Sequence, residues 1–583
     1  MDVELECSTG TPKGSVRVHT SEHSSGRIQL HVTVDGFGPA HHLKLRWSVP
    51  CTDATALWTS RVEGERWLPV SFSEEYVVSA ISGSPVAALY GADGANRLTS
   101  ALSETLRPVA LKFGISGRSA ELVGQARIAL REEREYAVSL MLDTRLRPVT
   151  ETLDSVATWW AEAGDTPLTA PASGASPMYS TWYSLGQNVD RHSVESEAAL
   201  AKEAGCTAVI VDDGWQTADA VGGYSSCGDW IPDPEKFGDM AKHVARVHRL
   251  GMKYLLWFAL PFVGEQSEIY RRFADRTLGY RADLDTWVLD PRHPEVREYL
   301  IGTVVRAVRD WQLDGIKIDF IDAFALHGIT EAPIGTDFVH VEDAVDELLA
   351  RLTAAVTALN TEILIEFRQT YVGPRLRRYC NLLRVTDCAM DATENRVHSL
   401  DLRLLAERTL IHSDMIMWHP EAPPAAAGRQ LLSVLFAVPQ ISVRLDQLDA
   451  VHFQTLKFWL QLFATFRDTL LHGSLTLSAP DLSYPEARAD GAAGSVLATF
   501  HSNFLEVQGE LSHQTLLING SSSDQLVLHG EGARGEFHAE VFDAAGTPSG
   551  TPTLSIRQDP FALTVPSCGV AILRRQTAGI ASD

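Results

Sequence analysis

Two side chains within one short stretch of this sequence could do chemistry together. The segment Gly315-Ile-Lys-Ile-Asp-Phe320 alternates apolar residues with Lys317 and Asp319, and in a strand of period two these two residues share a face. A carboxylate at the end of such a strand, with a lysine one layer below, suits a buried nucleophile held ionised by a neighbouring cation. A plain ion pair at a sheet end would read the same way, so the assignment turns on what the rest of the chain brings to that place.

The surrounding pattern is of apolar strands alternating with amphipathic helices, which is how parallel βα units read. Strands are expected over 178–183, 208–213, 254–260, 315–320, 363–368, 382–387, 415–419 and 441–445, with helices over 234–250, 294–311, 342–359 and 451–466. Eight such units predict an α/β fold built on a central (β/α)8 TIM barrel, whose chemistry gathers at the C-terminal strand ends. That rule collects Asp212, Asp213 and Trp215 after strand two and Trp257 on strand three. It adds Asp319 on strand four, Glu366 and Arg368 on strand five, Arg384 and Asp387 on strand six, and Trp418 and His419 on strand seven. Carboxylates, arginines and aromatic rings at one mouth suit a sugar, which offers hydroxyls to the acids and an apolar face to tryptophan.

The flanks have a different texture. Residues 1–150 carry short alternating segments such as 27–34 and 136–142 between Gly, Pro, Ser and Asp clusters, the signature of an N-terminal β-sandwich. A helical linker over 151–176 leads into the catalytic barrel over 177–475, and residues 476–583 return to short strands as a C-terminal β-sandwich.

Composition narrows the function classes. The chain has 583 residues, 45% hydrophobic and 21% charged, as in an ordinary globular protein. Its formal charge of −24 repels phosphate backbones and anionic membranes, so no nucleic acid and no membrane is expected as a partner. Seven scattered cysteines, without a Cys-x-x-Cys pair, read as thiols of a reducing compartment. The first residues, Met1-Asp-Val-Glu-Leu-Glu6, lack the basic and apolar regions of a signal peptide, and the expected location is cytoplasmic. No cofactor and no metal ligand set is expected; a homo-oligomer is left open.

With those residues in place, the chain resembles the retaining α-galactosidases of glycoside hydrolase family 36, in clan GH-D. The matching stretches are Val211-Asp-Asp-Gly-Trp215, Gly228-Asp-Trp-Ile-Pro-Asp233 with Lys236-Phe237, and Gly251-Met-Lys-Tyr-Leu-Leu-Trp257. They continue through Leu289-Asp-Pro-Arg-His-Pro-Glu-Val-Arg297, Lys317-Ile-Asp319 and Arg384-Val-Thr-Asp387, then Asp391, Ala392 and Arg396. The resemblance implies that Asp319 is the catalytic nucleophile and Asp387 the general acid/base. It also implies that Lys317 lies beside the nucleophile, Trp257 in the sugar subsite, and Asp212 and Asp213 on the O4 and O6 hydroxyls. A retaining mechanism needs two carboxyls roughly 5–5.5 Å apart, which strands four and six of one mouth can supply.

Simpler roles exist for several of these residues. Asp212-Asp-Gly214 could be a turn, Asp229 a cap for the helix near Pro234, Asp290 an organiser of the helix after Pro294, and Asp391 and Arg396 a pair shaping the strand-six loop. Trp418 and His419 could be core residues.

The sequence departs from the family at Ala259-Leu-Pro-Phe-Val263, where a Glu-Pro-Glu is usual, and at Ile321, where an Asn is usual. It departs again at Arg368-Gln-Thr-Tyr-Val-Gly373, which replaces a small Gly-rich signature. These positions serve the O2 side of the sugar, so the reaction class is read more firmly than the sugar. Arg368 brings a permanent cation that Glu366 could balance, which leaves both neutral and anionic sugars open. The expected function is that of a retaining exo-α-glycosidase, α-galactosidase-like, acting on an oligosaccharide or glycoside through a glycosyl-aspartate. Alternatives are a transglycosylase of the raffinose-synthase type, an α-glycosidase for another sugar, and a non-catalytic sugar-binding protein.

Overall fold

Short apolar runs such as Ala208-Val-Ile-Val211 bury every side chain, which is what a strand covered on both faces requires. The computed structural model, which describes residues 2–7, 14–39, 41–61, 66–217, 222–325 and 332–576, assembles eight of them into a closed parallel barrel. Its strands are β1 Met178–Ser180, β2 Ala208–Val211, β3 Lys253–Ala259, β4 Gly315–Asp319, β5 Leu364–Arg368, β6 Leu382–Arg384, β7 Leu410–Ile416 and β8 Val438–Ile441. Closure is made by β1 on β8, with Met178 opposite Gln440.

Helices return the chain outside the barrel, and several of their starts carry side-chain caps. Asp190 caps Arg191–Ala204 with a capping box, and Asp391 caps Ala392–Leu404 through the Thr393 and Glu394 amides. Pro294–Trp311 begins on a proline that needs no amide partner. The helix expected from 234 starts only at Met240, because Gly238 has φ +57° and Asp239 provides the cap through the Lys242 amide.

Strands seven and eight lie earlier than the sequence suggests. The apolar run over 415–419 draws the eye, yet β7 begins at Leu410 and carries His412, Ser413 and Asp414, all fully buried. Those polar groups find partners inside the barrel: His412 Nε2 meets Gly174 O at 2.9 Å, and Asp414 takes Arg384. Leu445, expected at the end of strand eight, instead opens a 3-10 turn over Leu445–Gln447. Between β3 and β4 the chain adds a small antiparallel sheet of Phe262–Val263, Thr277–Arg281 and Thr286–Leu289, which periodicity does not announce.

The flanks are β-rich. Before the barrel, a five-stranded and a six-stranded sheet face one another, and the segments read from sequence over 27–34 and 136–142 lie in strands Arg27–Asp35 and Glu135–Asp143, which pair antiparallel with Val138 opposite Val32. After helix Ala450–His472, the chain forms a larger sheet and a three-stranded one. Asp401, on a barrel helix, ties all three parts together. It accepts from Trp58 Nε1 at 2.9 Å, from Arg66, and from Tyr484 Oη at 2.5 Å.

Candidate active site

Asp319 ends β4 with Lys317 on the same inward face, as period two requires. Both side chains are buried, and neither carboxylate oxygen is left bare. Oδ1 accepts from Arg368 Nε at 2.5 Å, from the Phe320 amide at 2.7 Å and, at 3.5 Å, from Tyr371 Oη; Oδ2 accepts from Trp257 Nε1 at 2.9 Å. Lys317 Nζ stands 3.9 Å from Oδ2 and makes its short contact, 2.6 Å, to Asp212. The Phe320 amide reaches its neighbour's side chain because Phe320 sits in the left-handed region, φ +62°, a strained state of the kind that collects at functional sites. Burial alone would raise the Asp319 pKa, but Arg368, Lys317 and Arg384 outweigh it and hold the carboxyl well below its usual range.

Asp387 stands just past β6 in a different setting. Its side chain is 56% exposed, Oδ1 accepts from Arg384 Nη1 at 2.8 Å, and Oδ2 has no donor among the described residues. Arg384 is buried and shared: it also donates to Asp414 Oδ1 at 2.5 Å and lies 3.9 Å from Glu366. Asp414 in turn accepts from Tyr183 Oη at 2.9 Å and from the Cys388 amide at 2.8 Å. Burial raises the pKa of Asp387 while Arg384 and Lys317 lower it, and the net direction is down. For Glu366 and Asp414 burial prevails and the direction is up.

Asp212 and Asp213 follow β2 and both line the mouth. Asp213 is held by two amides, Gln187 Nε2 and Gln216 Nε2, each at 2.7 Å. Gly214 is required by this turn: its φ is +108°, and a Cβ there would stand 2.5 Å from the Gln187 backbone. Asp212 meets Lys317, so one lysine links the acidic pair to the candidate nucleophile.

These groups enclose a cavity of about 120 Å³. Asp212, Asp213, Trp257, Lys317, Asp319, Arg368, Arg384 and Asp387 all line it, as their strand-end positions anticipated. Trp182, Tyr224 and Phe320 line it as well, and sequence reasoning did not single them out. Tyr224 stacks on Trp257 with ring centroids 6.0 Å apart. The aromatic content of the loops after strands one and two was the available signal. Asp414, behind Arg384, was also missed, hidden by the misplaced strand seven.

Other candidates lie elsewhere. Trp215 is buried among Trp230, Phe258 and Trp311 and donates to the Trp257 carbonyl at 2.9 Å, so it braces β3 from behind. Trp418 is buried beside His452, and His419 is exposed, its Nδ1 accepting from the Glu421 amide. Glu366 does not balance Arg368; it faces Arg384 and accepts from Gln440. Asp229 holds the Glu268 and Ile269 amides instead of capping a helix, and Asp290 pairs with Arg292 at 2.8 Å. Arg396 turns away from Asp391 to the Ser483 carbonyl and His501. Among the described residues, no group of three or more His, Cys, Asp or Glu side chains is set to hold a metal ion.

The class these observations define is a flanked (β/α)8 barrel with a carboxylate at the end of β4 and another just past β6, on either side of β5, at an aromatic-lined mouth. Comparison with known proteins shows what it is similar to. Residues 174–352 match the melibiase family model, a span that includes β1 to β4 and Asp319 and stops before β5. α-Galactosidase 2 of Pediococcus pentosaceus is 30% identical over 162 residues, 27% of this chain and 22% of that protein. An A type blood α-D-galactosamine galactosaminidase of Flavonifractor plautii is 29% identical over 136 residues, 20% of this chain and 12% of that protein. The sequence alignments thus span less than a quarter of the length of these curated relatives. By structure, the family 36 α-galactosidase AgaA of Geobacillus stearothermophilus, solved with raffinose, is similar over 98% of this chain and 89% of its own, with TM-score 0.67 at 14% identity. By sequence the chain is therefore similar to α-galactosidases over the first half of its barrel, and over nearly its full length it shares the fold of a family 36 α-galactosidase.

Proposed function

We propose that this chain is a retaining exo-α-glycosidase, α-galactosidase-like, that removes a terminal α-linked sugar from an oligosaccharide or glycoside. The observation that carries the reading is the contrast between the two carboxylates on one cavity: Asp319 is buried and held ionised, while Asp387 is half-exposed with one oxygen open. The first suits a nucleophile and the second a proton carrier. Asp319 attacks the anomeric carbon as Asp387 protonates the leaving oxygen, and water then releases the sugar with Asp387 as base. Asp212, Asp213 and Lys317 offer acceptors and a donor to hydroxyls, and Trp257 offers a ring face. The raffinose and stachyose complexes of similar barrels support an oligosaccharide as substrate.

A second reading, a sugar other than galactose, is favoured by Arg368, whose side chain lines the cavity from the strand-five position where the family keeps a small loop. A panel of aryl α-glycosides differing at C2, C4 and C6 separates the two. NMR of the sugar released in the first minutes should show the α-anomer. A β-anomer formed first would sink the retaining mechanism, and no turnover across the panel would sink the glycosidase reading.

A further inference from the structure

Arg368 is built onto the candidate nucleophile. Its Nε donates to Asp319 Oδ1 at 2.5 Å, and the rest of the guanidinium is held independently of that bond. Nη1 donates to the Gln369 carbonyl at 2.7 Å, and the group lies 5.0 Å from the Phe320 ring centroid and 5.5 Å from that of Tyr371. A guanidinium fixed this way stays on Asp319 whether or not a sugar is bound, and its charge discriminates between a carboxylate and an ester.

We propose that Arg368 is a positioning residue that decides which half of the double displacement limits turnover, by stabilising Asp319 as the free carboxylate over Asp319 as the glycosyl ester. This rests on the retaining reading above. In the first half, a bond forms between an Asp319 oxygen and the anomeric carbon, the bond from that carbon to the leaving oxygen breaks, and the Asp387 proton moves to that oxygen. In the second half, a water oxygen bonds to the anomeric carbon, the electron pair of the ester bond returns to Asp319, and the water proton passes to Asp387. The ionised carboxylate is reactant in the first half and product in the second. A cation bonded to it therefore slows formation of the glycosyl-aspartate and speeds its breakdown. The intermediate therefore does not accumulate.

The test uses the full chain, R368Q and R368K, and aryl α-glycosides of the sugar the panel selects, graded by the acidity of the phenol. For the unsubstituted chain, kcat should fall steadily as the phenol becomes less acidic. In R368Q, kcat should become independent of the phenol, with a burst near one equivalent of phenol per site. On the most acidic phenol, kcat should drop by about tenfold or more, the effect of one lost charged hydrogen bond, while KM falls further still and kcat/KM holds or rises. R368K should lie between. These slopes are read within one variant, so a reduced folded fraction does not alter them. An unchanged slope without a burst in R368Q overturns the proposal, as does a flat slope already present in the unsubstituted chain. Absence of any turnover, or an inverted product, would instead remove the retaining reading on which the proposal stands.

Discussion

The ends of β4 and β6 place a carboxylate at the same mouth under opposite conditions. Asp319 is enclosed, with hydrogen bonds to both oxygens and cations from β4 and β5 beside it; Asp387 is 56% exposed and has one oxygen without a donor among the described residues. Enclosure by donors fixes an ionised, oriented oxygen and removes the cost of reorganising water when it reacts. Exposure leaves a proton free to come and go. The two sites share Arg384, whose charge acts on both, so one buried guanidinium electrostatically links groups that the reaction uses in turn.

Breaking the enclosed end should have the largest effect. Asp319→Asn keeps the shape but removes the charge that Arg368 and Lys317 face, and turnover should fall roughly ten-thousandfold or more, measured on the best aryl substrate. Loss of less than about tenfold would show that Asp319 is not the nucleophile. The exposed end should respond according to substrate. Asp387→Ala should lose about 10²- to 10⁴-fold on a glycoside whose leaving group needs a proton and far less on a dinitrophenyl glycoside. Equal losses on both would take Asp387 out of the acid/base role.

The same comparison explains what the sequence made legible. The enclosed end is local: Lys317 and Asp319 lie two apart on one strand, and the alternation of Gly315 to Phe320 announces both the strand and the face. The starts of strands one to six were legible for the same reason, each opening on an apolar run, but strand one, expected to 183, ends at Ser180 before helix Trp182–Leu185, and strand six, expected to 387, ends at Arg384. The exposed end depends on partners far away in sequence. Arg384 is placed by Asp414, thirty residues on, and Asp414 sits in a strand whose buried His412, Ser413 and Asp414 read as surface. Hydropathy misplaces such a strand because its polar atoms are paid for by other strands. Arg368 was visible as an anomaly, yet its partner was not: Glu366 was the near choice in sequence and shares a face with Arg368, but it lies one layer deeper, where Arg384 and Gln440 engage it. The structure pairs Arg368 with Asp319 on the neighbouring strand.

That distant pairing gives the smallest and most discriminating prediction. Asp414 and Asp387 both draw on Arg384 Nη1, at 2.5 Å and 2.8 Å. Asp414→Asn removes one negative charge and leaves an amide oxygen that can still accept from Arg384 or the Cys388 amide. If Asp414 is ionised, the guanidinium then serves Asp387 more fully and a repulsion disappears, and both changes favour the Asp387 carboxylate and lower its pKa. The acid form of Asp387 is the one that protonates the leaving oxygen, so kcat/KM falls as pH rises through that pKa. The alkaline limb of the kcat/KM profile should therefore move to lower pH in the variant, by a fraction of a unit to about one unit, with little change on a dinitrophenyl glycoside. Burial pushes Asp414 the other way, toward the protonated form. A limb that stays in place would show that the carboxyl already carries a proton in the native protein, and that Asp387 and Asp319 share the Arg384 charge without a third competitor.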